Sequence, residues 1–158
     1  MTMTNDMTGV FRRAWTEMLL PILQRPKRLQ VAALCYRQTP KGKQVLLITS
    51  RDTGRWIVPK GWPIDGMDGP ESALQEAWEE AGVKQADIEE KPIGIYRYNK
   101  GMDNGLTIPV ITQVYLTKVR HIEDEYPEAD ERRRKWVSPA DAATMVNEPE
   151  LQNILRSL

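Results

Sequence analysis

Apolar positions fall into several short runs and one stripe at helical spacing. Arg28–Tyr36 (RLQVAALCY) and Gln44–Ser50 (QVLLITS) are each the length of a strand. Between them, Gln38–Lys43 carries Pro40 and Gly42, so the two runs predict a β-hairpin. Trp56-Ile57-Val58 predicts a third, short strand stopped by Pro59. Ile93–Tyr98 and Ile108–Val119 predict two more, separated by the polar loop NKGMDNG. The second of these alternates through Val110, Thr112, Val114 and Leu116, the period of a strand. Arg134–Val137 reads as a short edge strand. Residues 11–20 (FRRAWTEMLL) read as a short helix ended before Pro21, and 149–157 as a last helix. Ser138-Pro139 opens another, with Ser138 as cap and Pro139 at the first helical position, where no backbone N–H is needed. Strands, a helix, more strands and terminal helices make an α/β (α+β) sandwich with a mixed sheet.

The best-marked helix lies in GWPIDGMDGPESALQEAWEEAGV, Gly61 to Val83. Pro70 suits a first turn and Gly82 the left-handed position past the end, so the helix runs from Pro70 to Ala81, with Asp68 and Gly69 as a turn before it. Leu74, Ala77, Trp78 and Ala81 share one stripe. Glu76, Glu79 and Glu80 share the opposite one, at i, i+3 and i+4, where like charges repel. No Lys or Arg lies within the helix to relieve them. Water screens most acidic helix faces. The alternative is that divalent cations relieve this one, since hard ions take carboxylate oxygens and leave positions for phosphates; spacing alone does not decide between the two.

The chain has 158 residues, with 22 Lys+Arg against 22 Asp+Glu, so bulk charge points to neither nucleic acid nor membrane. No apolar run is long enough to span a bilayer. Residues 1–25 read as a partly flexible extension and 26–158 as one domain, in a monomer or homodimer. Basic residues nevertheless cluster at Arg12, Arg13, Arg25, Lys27 and Arg28, and again at Arg132–Lys135 after the acidic run EDEYPEADE. Two such clusters are compatible with a small polyanionic ligand, although surface charge is the plainer reading. The single cysteine, Cys35, sits in an apolar run and reads as core. With no signal sequence and no disulfide possible, the expected compartment is the cytoplasm. The sole histidine, His121, reads as surface.

The stretch from Gly61 resembles the signature of the Nudix hydrolases. That signature has Gly, five residues, Glu, seven residues, then Arg-Glu-aliphatic-any-Glu-Glu-any-Gly-aliphatic. Gly61, Glu76, Ala77, Glu79, Glu80, Gly82 and Val83 stand in register. Met67 stands where the pattern has Glu, and Gln75 where it has Arg. Outside the motif, TSRDTGRWIVPKG, KQADIEEKPIGIY and RRRKWVSPADA resemble the diphosphoinositol polyphosphate phosphohydrolase branch. The resemblance implies that Glu76, Glu79 and Glu80 hold Mg²⁺ (or Mn²⁺), with the carbonyl of Lys60 as a further ligand and Glu79 as the base toward water. It implies hydrolysis of a phosphoanhydride in a diphosphoinositol polyphosphate or dinucleoside polyphosphate. Arg28, Ser50, Arg51, Lys60, Trp62, Arg132 and Arg133 fall where such a substrate would be bound, although Gln30 replaces one of the branch's basic contacts. Trp56 reads as packing, Trp62 as packing or stacking, and Tyr96-Arg97-Tyr98 as cleft lining or simple in–out alternation. Glu128 or Glu131 is a candidate fourth acid. A general nucleoside diphosphate derivative hydrolase and a non-catalytic Nudix-like module that binds a phosphorylated ligand are the alternatives.

Overall fold

The computed structural model describes residues 28–158; the helix expected at 11–20 and the basic residues Arg12, Arg13, Arg25 and Lys27 lie outside them. The elements run β1 (Arg28–Thr39), β2 (Gly42–Thr49), β3 (Trp56–Ile57), β4 (Lys60–Gly61), α1 (Gly69–Ala81), β5 (Val83–Ile88), β6 (Gly94–Gly101), β7 (Thr107–Ile122), β8 (Arg134–Val137), α2 (Pro139–Met145) and α3 (Pro149–Arg156). The strands form one mixed sheet of order β3-β2-β1-β7-β5, with β4 beside β1, β6 beside β7 and β8 beside β2. Leu29–Tyr98 with Ile111–Leu158 forms one compact unit, and Asn99–Val110, at the β6–β7 turn, falls outside it.

The apolar runs of β1 and β2 are continuous because both faces of these strands are covered. Val31, Ala33 and Cys35 of β1, with Leu46 and Ile48 of β2, pack against Ala73, Ala77 and Ala81 of α1. Ala32 and Leu34, with Val45 and Leu47, face the other way onto Ala142 and Ala143 of α2 and Leu151 and Leu155 of α3. Helices on both faces of the sheet give the expected sandwich. Cys35 is fully buried, and burial pushes its thiol up to about 12, so it is core. The expected hairpin forms with Tyr36 opposite Val45 and Thr39 opposite Gly42, leaving Pro40-Lys41 as a two-residue loop. Gly42 takes φ +122°, a conformation that favours glycine.

Two strands escape the pattern reading, each for a local reason. β4 is only Lys60-Gly61, without an apolar residue, and exists because it pairs with Val31 and Ala32 of β1. β5 follows directly on α1, and its register against β7 shifts on either side of Gln85. Such a bulge breaks the two-residue alternation that would mark a strand.

The stripe expected on α1 also needs correction. Its buried residues are Ser72, Ala73, Ala77, Glu80 and Ala81, whereas Leu74 and Trp78 are only half-buried. Small alanines at i, i+4 and i+8 let the helix lie close to the sheet, and this rotation carries Glu80 inward. Asp68 is more than a turn residue. Its carboxylate accepts from the Glu71 N–H at 2.8 Å while the Glu71 carboxylate accepts from the Asp68 N–H, a reciprocal capping box. Ser138 caps α2 as expected, accepting from the Asp141 N–H.

Candidate active site

The position of α1 is fixed at both ends. Gly82 takes φ +72° and returns its N–H to the helix, as a left-handed cap does. A Cβ there would come within 2.6 Å of the Glu123 carbonyl, because the loop from 123 to 131 closes over the helix end. That loop is tied down by Glu123 N–H to Gly82 O and by Glu128 N–H to Glu79 O, at 2.8 and 3.0 Å. Arg134 adds bonds to the carbonyls of Ala81 and Glu123. The acidic run is therefore docked, and it brings Glu128, one of the two candidate fourth acids, near the glutamates of α1.

Each carboxylate then has its own surroundings. Glu80, 7% exposed, accepts from the Lys60 N–H on Oε2 and from Arg132 on Oε1, both at 3.1 Å. Burial raises its pKa, partly offset by Arg132 and Lys60. Glu79 accepts on Oε1 from the Gln75 side-chain amide at 3.0 Å. Glu76 packs on Gly61, where an added Cβ would overlap its carboxylate and come within 2.7 Å of even the farther oxygen. It has no hydrogen-bond or ion-pair partner among the described residues. Its carboxyl is pushed up to about 7, first by burial and then by Glu80, Glu79 and Glu128, with Arg132 pulling the other way. The short β4 strand thus lies against two of the glutamates, with its glycine at the one place where a side chain would not fit.

A family model for the NUDIX domain matches residues 28–158. The chain belongs to the Nudix family. It is 29% identical over 119 residues to diphosphoinositol polyphosphate phosphohydrolase 3-beta from Homo sapiens, covering 72% of this chain and 65% of that protein. The chain thus spans about 65% of the length of that curated relative. Among solved structures it resembles an Ap4A hydrolase binary complex from C. elegans, with a TM-score of 0.64, 23% identity and coverage of 82% and 93%. It also resembles the NUDIX domain of Shewanella oneidensis NrtR complexed with ADP ribose, with a TM-score of 0.61, 21% identity and coverage of 83% and 86%. These two likenesses establish the α+β fold.

Nudix hydrolases generally use divalent metal ions. Among the described residues, no three side chains converge into a metal-binding group; Glu79 is held by Gln75, and Glu80 by the Lys60 N–H and Arg132. The donor chemistry nevertheless fits a hard divalent ion. Glu79, Glu80 and Glu128 lie near enough to Glu76 to raise its carboxyl, and among the described residues Glu76 has no ion-pair partner. Lys60 and Gly61 supply backbone beside two of the four.

The other expected site residues divide into two groups. Ser50, Arg51, Arg132 and Arg133 do come together, lining a cleft of about 280 Å³ with Thr49, Gly54, Asp130 and Glu131. Their donors are largely taken. The Ser50 hydroxyl closes its own turn with Thr53 at 2.7 Å, and Arg51 reaches Glu128 and Glu131 at 3.4 and 3.5 Å. Arg132, expected as a phosphate contact, is turned inward onto Glu80, Glu128 and the Thr49 carbonyl. Arg133 lies over the Trp56 ring at 5.7 Å, so Trp56 packs as expected. Lys60 Nζ lies over the Tyr98 ring, Trp62 is 39% exposed, and Arg28 is exposed at the start of β1. Along β6 the in–out reading holds: Tyr96 is core, whereas Arg97 points out to Glu150 at 2.6 Å. His121 is exposed beside Glu123.

Sequence reasoning marked Gln30 only as a replaced basic contact and missed Glu148 altogether. Gln30 is buried and accepts from the Tyr98 hydroxyl at 2.5 Å. Glu148 is 6% exposed, with Oε1 on Arg55 at 2.6 Å and Oε2 without a hydrogen-bond partner among the described residues. Gln30 lies within the apolar run of β1 and Glu148 precedes α3, and a polar side chain at either place carries no signal that it is buried.

Proposed function

We propose that the chain is a metal-dependent pyrophosphohydrolase that cleaves a phosphoanhydride in a polyphosphorylated substrate, a diphosphoinositol polyphosphate or a dinucleoside polyphosphate. The observation that carries this reading is Glu76 packed on Gly61 and Glu80 bonded to the Lys60 N–H, with Glu79 and Glu128 near enough to raise the Glu76 carboxyl, within a Nudix domain. Residues 26–158 act as one catalytic domain, with 1–25 as an extension, in a cytoplasmic monomer or homodimer. Among the described residues no helix is long and apolar enough to cross a membrane.

In this reading Glu76, Glu79 and Glu80, with the carbonyl of Lys60, hold Mg²⁺ or Mn²⁺. When bound, the ion neutralises phosphate oxygens and makes a water molecule more acidic. The chain's own residues do the rest. Glu80 is braced from both sides, by the Lys60 N–H and by Arg132. Gln75 holds Glu79 through one oxygen. Glu79 takes the proton of water as its oxygen bonds to phosphorus, and the anhydride P–O bond breaks with its electron pair leaving on the departing phosphate. Phosphoryl transfer of this kind needs alignment, charge neutralisation and a proton acceptor rather than a covalent nucleophile, consistent with a buried Cys35 and an exposed His121.

Two features favour a second reading, a phospho-ligand-binding module without catalysis. The motif's Glu and Arg are Met67 and Gln75, and oxygens of Glu79 and Glu80 are already engaged. Phosphate release from diphosphoinositol polyphosphates, dinucleoside polyphosphates and nucleoside diphosphate sugars, with and without Mg²⁺, separates the two. Release from a polyphosphorylated member only with metal supports the enzyme. Tight binding of those compounds with no release supports the module.

A further inference from the structure

Among the described residues, one buried cation meets the carboxylate cluster. Arg132 precedes β8, and its side chain is 5% exposed. Nη2 donates to Glu80 Oε1 and to Glu128 Oε1, each at 3.1 Å, and Nη1 donates to the Thr49 carbonyl at 3.0 Å. Nε reaches Glu128 as well, at 3.3 Å. The Nudix pattern places an arginine inside the motif, but here that position is Gln75, a neutral amide on Glu79. The guanidinium that meets the cluster comes instead from 52 residues beyond Glu80 along the chain. Arg51 also approaches Glu128, but it is 57% exposed and screened by water. Arg132 is not screened in that way, because buried charges act through a lower dielectric.

We propose that Arg132 is a resident counter-cation that sets the affinity of this cluster for a divalent ion. This rests on the reading that Glu76, Glu79 and Glu80 hold such an ion. Without metal, the guanidinium neutralises Glu80 and Glu128 and keeps both carboxylates in place. With metal, its positive charge opposes that of the ion at the same acids. The residue therefore trades metal affinity for order in the metal-free protein. Its donors point at two carboxylates and a carbonyl, a geometry that serves the protein's own acids rather than a substrate phosphate.

The test is calorimetric titration of Mn²⁺ into the metal-free full chain, with the metal-free melting temperature of each variant measured alongside. Arg132→Gln lowers the metal-free melting temperature yet binds Mn²⁺ more tightly, on the order of tenfold, because two acids lose their cation. Arg132→Lys keeps the charge and keeps an affinity near wild type. Glu128→Gln weakens binding. The double change Arg132→Gln/Glu128→Gln removes one charge of each sign, so its affinity returns toward wild type. An Arg132→Gln variant that binds Mn²⁺ no more tightly than wild type overturns the proposal. If that variant does not fold, a double variant that binds as weakly as Glu128→Gln alone overturns it. Wild-type protein that binds no Mn²⁺ removes this inference and the metal reading together, whereas wild-type binding that Arg132→Gln leaves unchanged removes this inference alone.

Discussion

The backbone N–H of Lys60 donates to Glu80 Oε2 at 3.1 Å, joining residues 20 apart in the chain. This one bond ties β4 to α1. It also brings Gly61, the next residue, onto the carboxylate of Glu76. The spacing of Gly61 from the glutamates, visible as a motif, is in physical terms the distance a loop needs to leave β4, form the Asp68 cap and return along the helix.

Gly61→Ala tests that contact. The backbone there has no positive φ, so alanine fits the chain itself. Its methyl would displace the Glu76 carboxylate, which is a flexible side-chain end. The expected result is a small change in melting temperature and a loss of divalent-ion affinity on the order of tenfold, the range for disturbing the surroundings of a metal ligand. A calorimetric metal titration reads both affinity and stoichiometry. Unchanged affinity would mean that Glu76 does not serve the metal.

The protonation of Glu76 predicts a pH dependence of stability. Its carboxyl is raised from an ordinary 4.5 to about 7 in the metal-free fold, so between these values the folded state holds a proton that the unfolded chain releases. Stability of the metal-free protein therefore falls as pH rises from 4.5 to 7. Glu76→Gln reduces that slope, and a divalent ion, which favours the ionised carboxylate, opposes it. Melting curves across this range with chelator and with Mg²⁺ check both. A wild-type slope that Glu76→Gln leaves unchanged contradicts the assignment.

The helix cap gives a prediction about stability alone. Asp68→Ala removes one half of the capping box and should cost about 1 kcal/mol by denaturant unfolding. Metal-dependent activity, normalised to folded protein, should be nearly unchanged. A large loss of activity at constant stability would make Asp68 part of the site.

Met67 and Gln75 replace a Glu and an Arg of the family pattern, and both line a groove of about 850 Å³ along α1 and β5. Gln75 holds Glu79, and Met67 is 40% exposed. Gln75→Arg alone places an unmatched cation beside the glutamates, and Met67→Glu alone adds an unmatched acid. Each should lower activity, and the double variant should recover part of it, with a coupling of roughly 0.5–3 kcal/mol if the two side chains meet. A double-mutant cycle on the metal-dependent rate is the check, and simple additivity would show that they do not meet.

How much of this was legible follows from which residues obey a period. Val31–Cys35 and Val45–Ile48 are buried on both faces and read as strands without help. Ser138-Pro139 and Gly82 declare their caps through residue type. The glutamates were visible by spacing and the family by motif. Their orientation was not, because Leu74 and Trp78 look more like core than Ala73 does. The helix turns its alanines to the sheet since only small side chains allow that approach, and Glu80 follows them inward. Arg132 was visible as one of four consecutive cations, but nothing local distinguishes it from Arg133. Its burial arises from a contact across 52 residues. β4, and the place of Glu128 beside the helix, depend on comparable long-range bonds.

The central claim is that these carboxylates, with a divalent ion, hydrolyse a phosphoanhydride. The most direct measurement is phosphate release from a dinucleoside polyphosphate and a diphosphoinositol polyphosphate by wild type, Glu79→Gln and Glu80→Gln, each with Mg²⁺ and with chelator. Turnover should require Mg²⁺ and fall by about two to four orders of magnitude in Glu79→Gln, as removal of a proton acceptor does, while that variant keeps its melting temperature. Glu80→Gln should lose activity and also stability, since it leaves Arg132 one acid short. Folded Glu79→Gln and Glu80→Gln proteins that release phosphate at the wild-type rate, or release that persists in chelator, would contradict the account.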